Sequence, residues 1–133
     1  MKYSIDKKEQ YTLIRLQDDK LDSTLAPNLK TELLTINAEG IENVILDLSD
    51  VKYVDSSGLS ALLVGNRVST ENGGIFILVG LTEHVNKLIK ISQLNNVLNI
   101  LPTVEEAIDA VFMHEIEKDL KIDDADLEED EDQ

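Results

Sequence analysis

The sequence predicts an α/β domain built on a mixed β-sheet with helices packed against it. Segments of strand spacing and of helical spacing alternate along the chain, in the order β-β-α-β-α-β-α-β-α. Two short runs, Val44-Ile45-Leu46-Asp47-Leu48 and Ile75-Phe76-Ile77-Leu78-Val79, are apolar on both faces, as central strands of a covered sheet are. Helical segments separate these strands, so the strands pair in parallel through right-handed crossovers.

Tyr3 and Ile5, then Tyr11, Leu13, Ile14 and Leu16, are near-alternating stretches joined by charged residues, which predicts an opening hairpin. From Leu25 the apolar positions move to helical spacing, with Leu29, Leu33 and Ile36 in one stripe. Ser23 or Thr24 is available as N-cap, Pro27 suits the first turn, and Gly40 closes the helix. After the first central strand, Val51, Tyr53 and Val54 carry an apolar surface on to Asp55. The helix over 56–68 is apolar around more than half of its wheel, so it is expected to be largely buried. Val85, Leu88 and Ile89 mark a third helix and Val97 to Leu101 a short last strand. Thr103 and Glu106 form a capping box for a final helix whose core face is Val104, Ala107, Ile108, Val111 and Phe112. That helix is expected to end at His114, which divides the chain into a domain over 1–114 and an acidic, disordered tail over 115–133.

The 133 residues suffice for one core, and 42% hydrophobic with 29% charged residues is the balance of an ordinary globular protein. A formal net charge of −15 argues against a nucleic-acid or anionic-membrane partner. Aromatic residues make up only 4%, too few for base-stacking platforms. Without cysteine there is no disulfide and no thiolate chemistry, and no apolar run reaches the roughly 18 residues of a membrane span. The start of the chain lacks the apolar stretch of a secretory signal, and a cytoplasmic location is expected. No metal or cofactor pattern is found.

Asp55-Ser56-Ser57-Gly58 lies between a buried strand and a buried helix, at the carboxyl edge of the sheet where ligand and reaction sites of α/β folds gather. Read structurally, a serine here caps the helix. Read functionally, a hydroxyl at a helix N-terminus suits a phosphate, whose charge of about −1.5 to −2 meets free N–H groups and the helix dipole. A hydrolase nucleophile is the competing chemistry, but Gly-x-Ser-x-Gly is absent, and His84 and His114 belong to no triad or metal pattern. No catalytic residue is assigned. Leu21-Asp22-Ser23-Thr24, leading into the first helix, reads by itself as an N-cap box.

Asp55-Ser56-Ser57-Gly58-Leu59, preceded by Val44 to Leu48 and followed by Leu62-Leu63, resembles the STAS domains of the bacterial anti-sigma factor antagonist family. Leu21-Asp22, Ala26 and Leu29 resemble that family's approach to its first helix, and the likeness covers roughly residues 1 to 113. The resemblance implies a non-enzymatic protein with a STAS-like mixed sheet that works by partner switching. Its unphosphorylated form binds an anti-sigma factor with serine kinase activity and so releases the sigma factor. Phosphorylation abolishes binding, and a PP2C-type phosphatase resets the protein. Carried over, the acceptor is Ser57, with Ser56 as second choice, and Asp22, Asp55, Ser56, Ser57 and Gly58 form the partner-binding face. Gly58 is expected to let the kinase approach the backbone. STAS domains also serve as constitutive adaptors, as subunits of lipid transport systems and in stress-signalling assemblies, which is the alternative reading.

Overall fold

The computed structural model describes the backbone of residues 1–131 and the side chains of residues 1–121. β1 (Tyr3–Lys7) and β2 (Thr12–Leu16) form the expected antiparallel hairpin, with Tyr3 opposite Leu16 and Lys7 opposite Thr12. After β3 (Lys20–Leu21) comes α1 (Ala26–Ala38), which buries Leu29, Leu33 and Ile36 as its periodicity requires. Its N-cap is Leu25, not Ser23 or Thr24. The turn before it closes instead on the Asp22 carbonyl, which accepts from the N–H groups of Leu25 and Ala26 at 3.1 and 2.8 Å. Gly40 follows the C-cap with φ +93°, the left-handed conformation that ends helices at low cost only in glycine.

β4 (Val44–Asp47), β5 (Tyr53–Val54), α2 (Ser56–Glu71), β6 (Phe76–Val79), α3 (Glu83–Ile91), β7 (Asn99–Leu101) and α4 (Val104–Glu131) complete the order. The main sheet runs β1-β2-β4-β6-β7, parallel throughout except for β1 against β2. Every residue of β4 and β6 is buried, so both faces of the sheet are covered. Leu46 and Leu78 point with Ile14 into a core shared with α1, α2 and α3, while Ile45, Ile77 and Val79 point the other way, onto Ala107 and Val111 of α4. The two-residue strands β3 and β5 form a separate parallel pair that the sequence does not announce.

Asp47 ends β4 as a buried charge. Burial pushes its carboxyl pKa up, but bonds from the Ser49 N–H and the Arg15 guanidinium, both at 2.9 Å, outweigh this and hold it below the ordinary carboxylate range.

α4 departs from expectation. The Thr103 hydroxyl does cap it, accepting from the Glu106 N–H at 3.2 Å, but the helix continues through His114. Its core face ends at Val111, and Phe112, expected inside, is 45% exposed. Polar contacts hold the next turns. The Asn43 amide donates to Glu115 at 2.8 Å, and the Lys118 ammonium reaches Glu42 at 2.9 Å. Residues 115–121 of the expected disordered tail are therefore ordered helix. The side chains of the remainder, 122–133, lie outside those described.

Candidate functional site

The pairing of β3 with β5 brings together the two segments singled out in the sequence. Lys20 lies opposite Tyr53 and Leu21 opposite Val54, while the Asp19 carbonyl accepts from the N–H groups of Lys52 and Tyr53 at 2.8 and 3.2 Å. The Asp55 N–H donates to the Leu21 carbonyl at 3.3 Å. Both loops follow the carboxyl ends of parallel strands, β2 and β4, where open α/β sheets present their sites. Because α1 and α2 pack against each other, their N-termini meet at that edge.

Asp55 is the N-cap of α2. Its backbone is extended, with ψ −173°, and its Oδ1 accepts from the Gly58 N–H at 3.0 Å. The structural reading of the serines, that one of them caps the helix, is thereby replaced, since the carboxylate does this work. Ser56 and Ser57 occupy the first two helical positions, Ser56 exposed and Ser57 half-buried. Neither hydroxyl makes a hydrogen bond to another protein group among the described residues.

Gly58 takes a different place from the one expected. It is buried under the site, and a Cβ there would overlap the Leu21 carbonyl oxygen and stand 2.7 Å from Val54 Cγ1. It lets α2 approach the β3–β5 pair. Asp22 shapes its own loop. Its Oδ1 accepts from the Thr24 hydroxyl and, at 3.0 Å, from the Thr24 N–H, and these bonds lower its pKa.

A groove of about 410 Å³ opens between the two helix starts, and Ser23, Ser56, Ser57 and Ser60 bring hydroxyls to it. Lys30, half-buried on α1, is the one charged residue lining it. The sequence reading passed over Lys30. It follows Ala26 by four residues on the same helix face, but which face meets α2 is a tertiary fact. No histidine lines the groove. His84 lies in a separate groove with Lys52 and Lys87, and His114 places Nε2 2.9 Å from the Gly73 carbonyl oxygen. Among the described residues no helix is long and apolar enough to cross a membrane.

The sequence and the architecture have counterparts in known proteins. A candidate anti-sigma factor antagonist of Thermotoga neapolitana is 32% identical over 73 residues, 55% of this chain, which spans 65% of that relative's length. The anti-sigma-B factor antagonist of Staphylococcus epidermidis is 26% identical over 81 residues, covering 61% of this chain and 75% of its own. The solved structure of the Bacillus cell fate determinant SpoIIAA in its phosphorylated form shares the fold, with a TM-score of 0.65 and 24% identity over 83% of this chain and 99% of that one. The STAS domain family model matches residues 2–107, which takes in all seven strands, the first three helices and both loops of the site; the chain belongs to the STAS domain family.

Proposed function

We propose that this protein is an anti-sigma factor antagonist controlled by phosphorylation of Ser57. In its unphosphorylated form it binds an anti-sigma factor with serine kinase activity, and the sigma factor is released. The names of its Thermotoga and Staphylococcus relatives, and the phosphorylated form of the Bacillus structural neighbour, support the reading. One observation of the structure carries it: with Asp55 capping α2, the Ser57 hydroxyl is left unbonded in a solvent-open groove at the helix N-terminus. In the transfer step Ser57 Oγ attacks the γ-phosphorus of an ATP held by the partner. The new O–P bond replaces the bond to ADP, and the hydroxyl proton passes to a base of the kinase. A phosphatase hydrolyses the ester to reset the switch. Ser56, more exposed, is the second acceptor, and Asp22, Asp55 and Ser56 belong to the face that meets the partner.

A dianion added at the partner-facing surface must be desolvated on binding, at a cost of about 2 to 4 kcal/mol, which weakens binding roughly 30-fold to nearly 1000-fold. The test compares Ser57→Ala and Ser57→Asp as baits in a lysate of the source organism. An acidic side chain in the first turn suits the helix dipole, so Ser57→Asp is expected to keep its circular dichroism spectrum and melting temperature. Retention of a kinase-type anti-sigma factor by wild type and Ser57→Ala, with loss by Ser57→Asp, supports the switch. Equal retention of the same transporter or assembly proteins by all three baits overturns it in favour of a constitutive adaptor.

A further inference from the structure

We propose that Lys30 is the internal cation that receives the phosphate on Ser57, docking it against α1 within the groove between the two helix starts. The inference rests on Ser57 as the acceptor and concerns what the protein does with the charge once it arrives. Lys30 and Ser57 line one groove, and every other polar side chain lining it is a serine hydroxyl. Lys30 has no carboxylate within ion-pair distance among the described residues, as is true of several other lysines, but it is the one of these that lines the groove with Ser57. A half-buried lysine left unpaired among hydroxyls is a standing site for an anion, and its long flexible stem lets the ammonium follow the phosphate oxygens.

The carboxylates near the site act against the phosphate. Asp55 holds its carboxylate at the α2 N-terminus and Asp22 holds its own in the neighbouring turn, with Lys20 beside it. Without Lys30, a phosphate at Ser57 shares its helix N-terminus with the Asp55 carboxylate and has the Asp22 carboxylate in the neighbouring turn. With it, the phosphate has a local counter-charge on α1, and its dianionic form is favoured.

The experiment is a ³¹P NMR titration of the full chain carrying phosphoserine incorporated at position 57 during translation, with no partner present. An opposite charge at close range lowers an acid's pKa, so Lys30→Gln is expected to raise the second phosphate pKa by about 0.5 unit or more. Lys30→Arg is expected to keep the wild-type value. Lys90→Gln, on α3 and outside the groove lining, removes the same net charge and is expected to leave the titration unchanged. Superimposable titrations of wild type and Lys30→Gln overturn the proposal, as does an equal shift in Lys90→Gln, which would assign the effect to the overall field. Melting temperatures of the unphosphorylated variants identify any that fail to fold, and should Lys30→Gln be among them, Lys30→Met, which removes the same charge and keeps the apolar stem, gives the comparison, with the same raised pKa expected and a wild-type value overturning the proposal. Because no partner takes part, this titration can fail while partner switching stands, and the pull-down can fail while the titration succeeds.

Discussion

At Gly58 the demands of packing and of the site meet in one residue. In the Asp55-Ser56-Ser57-Gly58 sequence the first side chain caps α2, the two serines line the groove, and the fourth position must have no side chain, because the Leu21 carbonyl and Val54 fill the space where a Cβ would stand. Backbone atoms on one side leave little room to relax. Gly58→Ala is therefore expected to destabilise the domain by about 1–3 kcal/mol, the usual cost of overpacking a core, and to separate β3 from β5 before the main sheet opens. Chemical denaturation measures the first, and amide exchange at Leu21 and Asp55 the second; a variant as stable as wild type would show that α2 shifts freely. The motif was legible in the sequence, and the residue roles were only partly so. That Asp55 caps while the serines stay free, and that Gly58 is a contact glycine, depend on the β3 backbone, some 35 residues upstream. Lys30 escaped for the same reason.

Among the elements, those that pack by their own periodicity were legible and those held by distant polar contacts were not. The β4 and β6 runs and the Thr103 cap of α4 follow directly from residue types. β3 and β5, two residues each, are too short to alternate, and past Val111 the apolar residues of α4, Phe112, Met113, Ile116 and Leu120, stay exposed, so no core contact holds those turns. Asn43, just before β4, supplies much of what the pattern lacks. Its amide nitrogen donates to the Gln10 carbonyl at 2.9 Å and to Glu115, and its amide oxygen accepts from the Ile75 N–H at 3.0 Å, so one buried side chain joins the starts of β2, β4 and β6 to α4. Asn43→Ala leaves the Ile75 N–H and the Gln10 carbonyl without these partners, at a cost of about 1–3 kcal/mol for each group left buried and unsatisfied. It also removes the Asn43 hydrogen bond, which does most to hold the Glu115 pKa below the ordinary carboxylate range. The expected outcome is a clear loss of global stability together with faster amide exchange in α4 over 113–121. Unchanged exchange there would mean that Lys118 and Glu42 hold those turns by themselves.

Over the whole molecule the excess of acids sets how stability responds to salt. The chain carries 27 carboxylic side chains and 12 lysines and arginines, and the ion pairs of the described residues occupy few of the acids: Asp6, Glu39, Glu42, Asp47 and Glu115. Four of these pairs are well exposed on at least one side, where screening costs at most a few tenths of a kcal/mol to about 1 kcal/mol each. The unpaired acids repel one another at neutral pH, and the compact state suffers this more than the expanded chain because it holds them closer together. Repulsion among many charges is long-range and is the interaction that salt screens most, with a Debye length falling from about 30 Å at 0.01 M to about 8 Å at 0.15 M. The two effects oppose each other, and the repulsion is the larger because among the described residues most of the acids have no ion-pair partner. Raising NaCl from about 0.01 M to about 0.15 M is therefore expected to raise the melting temperature at pH 7, with KCl giving the same rise since screening depends on ionic strength and not on the ion. Calorimetry at matched ionic strengths decides it. A flat or falling melting temperature would mean that the exposed pairs, not the net charge, dominate the electrostatics of folding, and that the acids are spread widely enough over the surface to escape one another.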